Sequence, residues 1–242
     1  MKVWNFNNEL KQLFVDYHYA SINDPIYTST QAYKHLERIP KPIAGDVRFS
    51  LDYSLDQDNL FENALMTRHS WPYKFPNNVT IDVDFLSKFC QLAFIGNDKT
   101  GRTYPSGGAQ YYVNIYLLLN ESKVCEKLVK HNVYQLDMDS QQIVGLNFTK
   151  WEEIQEAYIP KASVETAQMA IALSVNLHHV SEKYTDISYK LIQQEAGHIG
   201  QNIQLVSNYM NLKSLPLGGF YDLKLSEIIG NNEAVLYTFL LG

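Results

Sequence analysis

The sequence predicts an α+β fold, and three observations predict it. From Glu182 to Met210, the apolar residues Ile192, Ala196, Ile199, Ile203, Val206 and Met210 recur at steps of three and four, one stripe of a long helix. The runs Tyr111–Leu119, Ala167–Leu177 and Ala234–Leu241 are dense in strand-forming apolar residues and read as buried strands. The chain has 242 residues, 45% of them hydrophobic, enough for one large domain or at most two small ones.

The same composition narrows the function classes. Twenty basic residues against 26 acidic ones give a net charge of −6, and no long basic run argues for nucleic acid. Apolar runs fall well short of the roughly 18 residues that a membrane span needs. The N-terminal MKVWNFNNELKQ lacks the apolar core of a signal peptide. Two cysteines, Cys90 and Cys125, fit a reduced, cytoplasmic setting. His178-His179 lacks any ligand pattern such as H-E-x-x-H, so no metal site is expected.

In chain order, residues 1–58 read as an N-terminal helical extension to a domain spanning 59–242. A helix from Asn8 to Ala20 is ended by Asn23-Asp24-Pro25, because the residue before proline avoids helical angles. A second helix runs from Ser29 to Glu37, and Pro40-Lys41-Pro42 and Gly45 mark a loop. A helix opening at Asn59 then ends in Thr67-Arg68-His69-Ser70. Arg68 there pairs a planar fork of donors with a nearby hydroxyl, a combination suited to phosphate but shared with ordinary surface arginines. Thr80 is the expected N-cap of a helix burying Phe85, Leu86, Phe89, Cys90, Ala93 and Phe94. Gly96–Thr103 approaches a P-loop, but Arg102 replaces its lysine, a helix precedes it and Pro105 follows, so the match is chance. Asn132–Met138 reads as a more exposed strand. Thr149 and Glu152 have the spacing of a capping box for a helix through Tyr158, ended by Pro160. Gly197 and Gly200 inside the long helix each cost about 1 kcal/mol relative to alanine, so each needs a close neighbour or a flat ligand. Pro216-Leu217-Gly218-Gly219 reads as a turn able to present bare N–H groups.

Four segments in this order, Arg68-His69-Ser70, YPSGGA from Tyr104, EAGHIGQN from Glu195 and PLGGF from Pro216, resemble the flavin-dependent nitroreductase superfamily. Within it the sequence is similar to the SagB-type (McbC-like) azoline dehydrogenases, which help make thiazole- and oxazole-containing peptides. The resemblance covers roughly residues 59–242. It implies a nitroreductase-like fold, with a mostly antiparallel sheet surrounded by helices and two FMN sites at a homodimer interface. Arg68, His69 and Ser70 are the implied contacts to FMN phosphate and ribityl. A basic residue usually follows two positions after this serine; here that position is Pro72, and Lys74 is the implied flavin-ring contact. Pro105, Ser106, Gly107 and Gly108 form the implied loop on the flavin ring, with Gln110 at the place of the glutamine in a Q-P-W triplet, here followed by Tyr111-Tyr112. Pro216, Leu217, Gly218 and Gly219 complete the implied flavin contacts. Many members have basic residues beyond the last strand; this sequence ends at Gly242, so either another cation such as Lys190 works with Arg68 or flavin is held less tightly.

Lys183-Tyr184 stands where the microcin-type enzymes have a proposed catalytic Lys-Tyr pair, ahead of Tyr189-Lys190 and Gly197. A tyrosine near pKa 10 is a poor base at neutral pH unless a cation lowers it, which gives the lysine a purpose. The implied reaction is oxidation of a peptide thiazoline or oxazoline to the aromatic ring. Its implied partners are a leader-bearing precursor peptide and a cyclodehydratase complex. Two other readings stay open: an NAD(P)H-dependent nitroreductase-like oxidoreductase, and a non-catalytic scaffold subunit of a peptide-modifying complex.

Overall fold

A six-stranded sheet in the order β3-β2-β1-β4-β6-β5 forms the middle layer of the molecule, and every neighbouring pair is antiparallel. The strands are β1 (Asn114–Leu119), β2 (Val133–Asp137), β3 (Gln142–Asn147), β4 (Met169–Val175), β5 (Ser214–Leu217) and β6 (Ala234–Leu241). The computed structural model describes residues 13–30, 49–51, 54, 56, 58–97, 99, 101–184, 187–231 and 233–242. The helices among them are α1 (Leu13–Ser21), α2 (Pro25–Thr30), α3 (Leu60–Thr67), α4 (Val83–Cys90), α5 (Trp151–Gln155), α6 (Lys161–Thr166), α7 (Leu177–Tyr184), α8 (Ile187–Tyr209) and α9 (Asp222–Ile229).

Side chains alternate across the sheet and feed two cores. Ile115, Leu117 and Leu119 of β1 and Met169, Ile171 and Leu173 of β4 point to one face, where Leu86 and Phe89 of α4 and Ile192, Ala196, Ile199 and Ile203 of α8 cover them. Tyr116, Leu118, Ala170 and Ala172 point to the other, against Trp151, Ile154, Val164, Leu225 and Ile229. Burial on both faces explains why β1 and β4 read as continuous apolar runs rather than alternating ones. Each fully buried aliphatic side chain contributes about 1.5–3 kcal/mol. Gly200 is the reason α8 can lie so close to the sheet, for a Cβ there would stand 2.7 Å from Cζ of Phe239 on β6.

Several local readings are corrected by the structure. The expected helix of 182–210 takes in the end of α7, to Tyr184, and α8 from Ile187, with Thr185 and Asp186 outside the described residues. Asp82, not Thr80, caps α4, its Oδ1 accepting from the Phe85 N–H at 2.8 Å. Thr149 caps nothing: its N–H donates to Asn132 Oδ1, its hydroxyl turns to Asn147, and α5 starts without a side-chain cap and stops at Gln155. Tyr111 cannot open β1, because its φ of +52° is left-handed and incompatible with an extended strand. β2 is mostly buried rather than exposed, since Tyr134 and Leu136 pack into the core under α4 and α8. Pro216 and Leu217 lie in β5 and only Gly218-Gly219 turn; β5 is an edge strand, where a missing N–H is tolerated. The helix expected at Ser29–Glu37 falls mostly outside the described residues, as do Pro40–Gly45 and the start of the Asn8–Ala20 helix.

Candidate functional site

α8 carries the site at both ends. Near its start, Glu195 is buried under the loop 105–113 and organises it. Ser106 Oγ donates to Glu195 Oε2 at 2.6 Å, and the Val113 N–H donates to Oε1 at 3.2 Å. The Ser106 hydroxyl oxygen in turn accepts from the Tyr111 N–H at 2.9 Å. These bonds hold three left-handed residues in a span of four: Gly108 at φ +62°, Ala109 at +54° and Tyr111 at +52°. For a non-glycine residue that conformation costs about 1–2 kcal/mol, so the clamp is needed. Burial pushes the Glu195 carboxyl above its ordinary range, with the Ser106 hydroxyl opposing. The Arg102 guanidinium lies 4.2 Å from the centre of the Tyr111 ring and donates to the Tyr104 hydroxyl at 3.1 Å. Burial raises that phenol to about 12.

Lys183 and Tyr184, the last residues of α7, meet this loop. A Cβ on Gly108 would lie 2.0 Å from the Tyr184 hydroxyl, so only glycine leaves room for it. A Cβ on Gly107 would likewise press Leu191 of α8, at 3.0 Å. Lys183 Nζ sits 5.0 Å from the Tyr184 ring centre, which places both members of the pair on one side despite their adjacency in a helix. Gln110 Nε2 donates to the Gly108 carbonyl at 2.8 Å and lines a cleft of about 660 Å³ with Tyr112, Asn176, His179 and Lys183. His178 and His179 are exposed on α7, with the His179 ring edge-on to Tyr112. Pro105 is exposed at the mouth of the loop.

The other end gathers around Gln204, nine residues and about 14 Å farther along α8. Arg68 caps α3 and donates from one guanidinium nitrogen to Gln204 Oε1 at 2.7 Å. Its remaining donors have no recorded partner among the described residues. His69 folds back on the Thr67 carbonyl, and Ser70 forms a parallel bridge with Ser214 at the start of β5. Lys74 ends a tight turn, its carbonyl accepting from Trp71 Nε1, with its side chain exposed. The second cation at this end is Lys213, 5.2 Å from the Trp71 ring centre, rather than Lys190, which lies 14 residues before Gln204 and about 21 Å away along the helix. Gly218 and Gly219 follow at the far end of β5, about 13 Å of strand beyond Ser214; their amides make no hydrogen bond, and a Cβ on Gly218 would meet nothing within 4 Å, among the described residues.

Sequence reasoning missed Glu195, Gln204 and Lys213. A carboxylate and an amide in a polar-looking helix resemble solvent-facing residues, and only their register beside Ala196 and Ile203 hints at burial.

The nitroreductase family model matches residues 65–242. A Methanocaldococcus jannaschii protein carrying a nitroreductase name is 26% identical over 159 residues, 65% of this chain and 78% of that one. Among solved structures, a chain of the Escherichia coli microcin synthetase McbBCD complex, solved with truncated pro-MccB17 bound, superposes with a TM-score of 0.74 at 18% identity, covering 98% of this chain and 94% of that one. A nitroreductase-type protein from Ralstonia eutropha gives a TM-score of 0.61 at 17% identity, covering 78% and 86%. These likenesses in shape establish the fold. No helix among the described residues is long and apolar enough to cross a membrane.

Proposed function

The chain belongs to the nitroreductase family, and from that premise we propose that it is an FMN-dependent dehydrogenase oxidising peptide thiazolines or oxazolines to thiazoles or oxazoles. It acts as a homodimer on a leader-bearing precursor peptide, beside a cyclodehydratase complex, in the cytoplasm. The shape shared with a chain of a microcin synthetase complex supports that setting. Residues 1–58 serve as an arm on the 59–242 domain, consistent with Phe14 and Val15 of α1 reaching the core.

The observation that carries this reading is the seating of the Tyr184 hydroxyl on Gly108, which joins the proposed Lys-Tyr pair to the SGG loop. The donor set fits FMN. Arg68, Ser70 and Lys213 offer a cationic, hydroxyl-bearing end for a phosphate. The Gly218 and Gly219 amides offer unengaged donors for the developing negative charge on a flavin ring. The roughly 14 Å between the two ends fits a site completed across a dimer, and Gly197, exposed on α8 with open space beside it, leaves room for a second copy.

Bound FMN supplies the acceptor for the hydride that leaves the ring β-carbon. Tyr184 takes the α-proton, acidified by the adjoining imine and carbonyl, and the ring C=C forms as both C–H bonds break. Lys183 places its ammonium beside the Tyr184 ring, 5.0 Å from the ring centre. Purified protein should be yellow, should quench FMN fluorescence stoichiometrically, and should remove two hydrogens from a thiazoline-containing peptide by mass spectrometry. Absence of binding at high micromolar FMN would leave only the scaffold reading. A flavin-loaded protein that ignores the peptide but turns over NAD(P)H with small oxidants would favour the nitroreductase-like one.

A further inference from the structure

The loop between α1 and α2 reaches back to the glycine turn after β5. Asn23 Nδ2 donates to the Gly218 carbonyl at 2.8 Å, across 195 residues of sequence. The backbone of Asn23 is itself held, its N–H donating to Asp222 Oδ2 at 2.9 Å at the start of α9. The Asp24 carboxylate closes the adjoining turn by accepting from the Ile26 N–H at 2.8 Å. Burial of Asp222 raises its pKa to about 6, so near neutrality it stands as the charged acceptor that this N–H needs.

The next carbonyl of the turn is also tied down: Gly219 O accepts from the Ile159 N–H at 3.0 Å. A trans peptide is planar and carries its C=O and the following N–H on opposite sides. No cis peptide occurs among the described residues. Fixing the Gly218 carbonyl toward Asn23 therefore aims the Gly219 N–H away from the arm. Fixing the Gly219 carbonyl toward Ile159 aims the Phe220 N–H the opposite way. Two glycines in sequence have no side chains to hold these planes, and without the two anchors each could rotate.

We propose that Asn23 is a positioning residue for flavin binding: by holding the Gly218 carbonyl it orients the Gly219 N–H toward the flavin and makes the N-terminal arm part of the cofactor site. This rests on the FMN reading above. The arm then bears on the electronics of the cofactor and not on folding alone, because a fixed N–H stabilises the more negative, reduced form more than the oxidised one.

The test compares the full chain with Asn23→Ala, which keeps the backbone bond to Asp222 and loses only the side-chain donor, and with Asn23→Gln, which restores a donor. Three quantities are measured: FMN affinity by fluorescence quenching, the flavin midpoint potential, and the melting temperature of the apoprotein. Asn23→Ala should weaken FMN binding by about fivefold, the worth of one ordinary hydrogen bond, and move the potential to more negative values. Its apoprotein melting temperature should stay near that of the parent, and Asn23→Gln should recover part of both flavin effects. Equal affinity and potential in parent and Asn23→Ala would overturn the role of Asn23 while leaving the FMN reading intact. A lowered melting temperature with an unchanged potential would make the contact merely structural and overturn it too. No FMN binding by the parent would overturn both.

Discussion

The loop held by Glu195 and the region formed by Arg68, β5 and its glycine turn are built on opposite terms. In the first, the chain satisfies itself: Ser106, Tyr111 and Val113 all bond within the loop or to Glu195 of α8, and those bonds hold three left-handed residues. In the second, donors are left over: most of the Arg68 guanidinium and the amides of Gly218 and Gly219 have no recorded partner among the described residues. A loop that already meets its own needs can offer shape and a fixed surface for chemistry. A turn with spare donors gains most from a ligand, and an anionic one gains it most.

Each half can be tested against that contrast, and the largest effect belongs to the self-satisfied half. Tyr184→Phe keeps the ring against Gly108 and removes the proposed base. Azoline oxidation should fall by about 10²–10⁴-fold, the usual worth of a positioned base, while FMN content stays normal. Near-parental turnover by flavin-replete Tyr184→Phe would remove the tyrosine from the chemistry.

The open half should show its effect in binding. Arg68→Ala removes a charged donor worth about 1.5–3 kcal/mol, so FMN affinity measured by titration should drop roughly tenfold to a hundredfold. Lys74→Ala, at an exposed turn, should cost less. The reverse order would move the cofactor away from Gln204.

The smallest effect concerns how the closed loop is held. Burial raises the Glu195 pKa above 4.5, so the native state binds this proton more tightly than the unfolded chain does. Stability from this group is therefore lost as pH rises from 4.5 through the raised value. Glu195→Gln keeps an acceptor for Val113 and can donate to Ser106 Oγ, but does not titrate. The melting-temperature difference between variant and parent should move in favour of the variant as pH climbs through that window. A difference independent of pH would show that Glu195 does not carry the shift.

What the sequence disclosed follows from how much of each element depends on its own residues. β6 runs over Ala234–Leu241 as expected, and α8 buries Ile192, Ala196, Ile199 and Ile203 as its spacing predicts, because periodic burial is written locally. The motifs of the site were legible as short strings, and the structure brings Lys183, Tyr184 and the SGG loop together and, separately, Ser70 and the start of the strand that carries the glycine turn. Contacts with distant partners were not legible. Thr149 looked like a cap until Asn132, 17 residues away, took its N–H. Gly200 found its close neighbour in Phe239, but nothing near Gly197 among the described residues explains that glycine. β3 and α9 left no clear sequence signal, the first being a short edge strand containing Gly145 and the second a helix of eight residues.

α8 also works as a ruler. Its hydrogen-bonded backbone fixes both the distance and the angle between Glu195 and Gln204, so the two half-sites share one rigid scale. Inserting a single residue between them would lengthen the span by only about 1.5 Å but swing one end by about 100° about the axis relative to the other. The loops on either side can change length with little consequence for the site. The nine-residue interval in the helix has no such freedom, and its count is a dimension of the machine rather than a detail of its sequence.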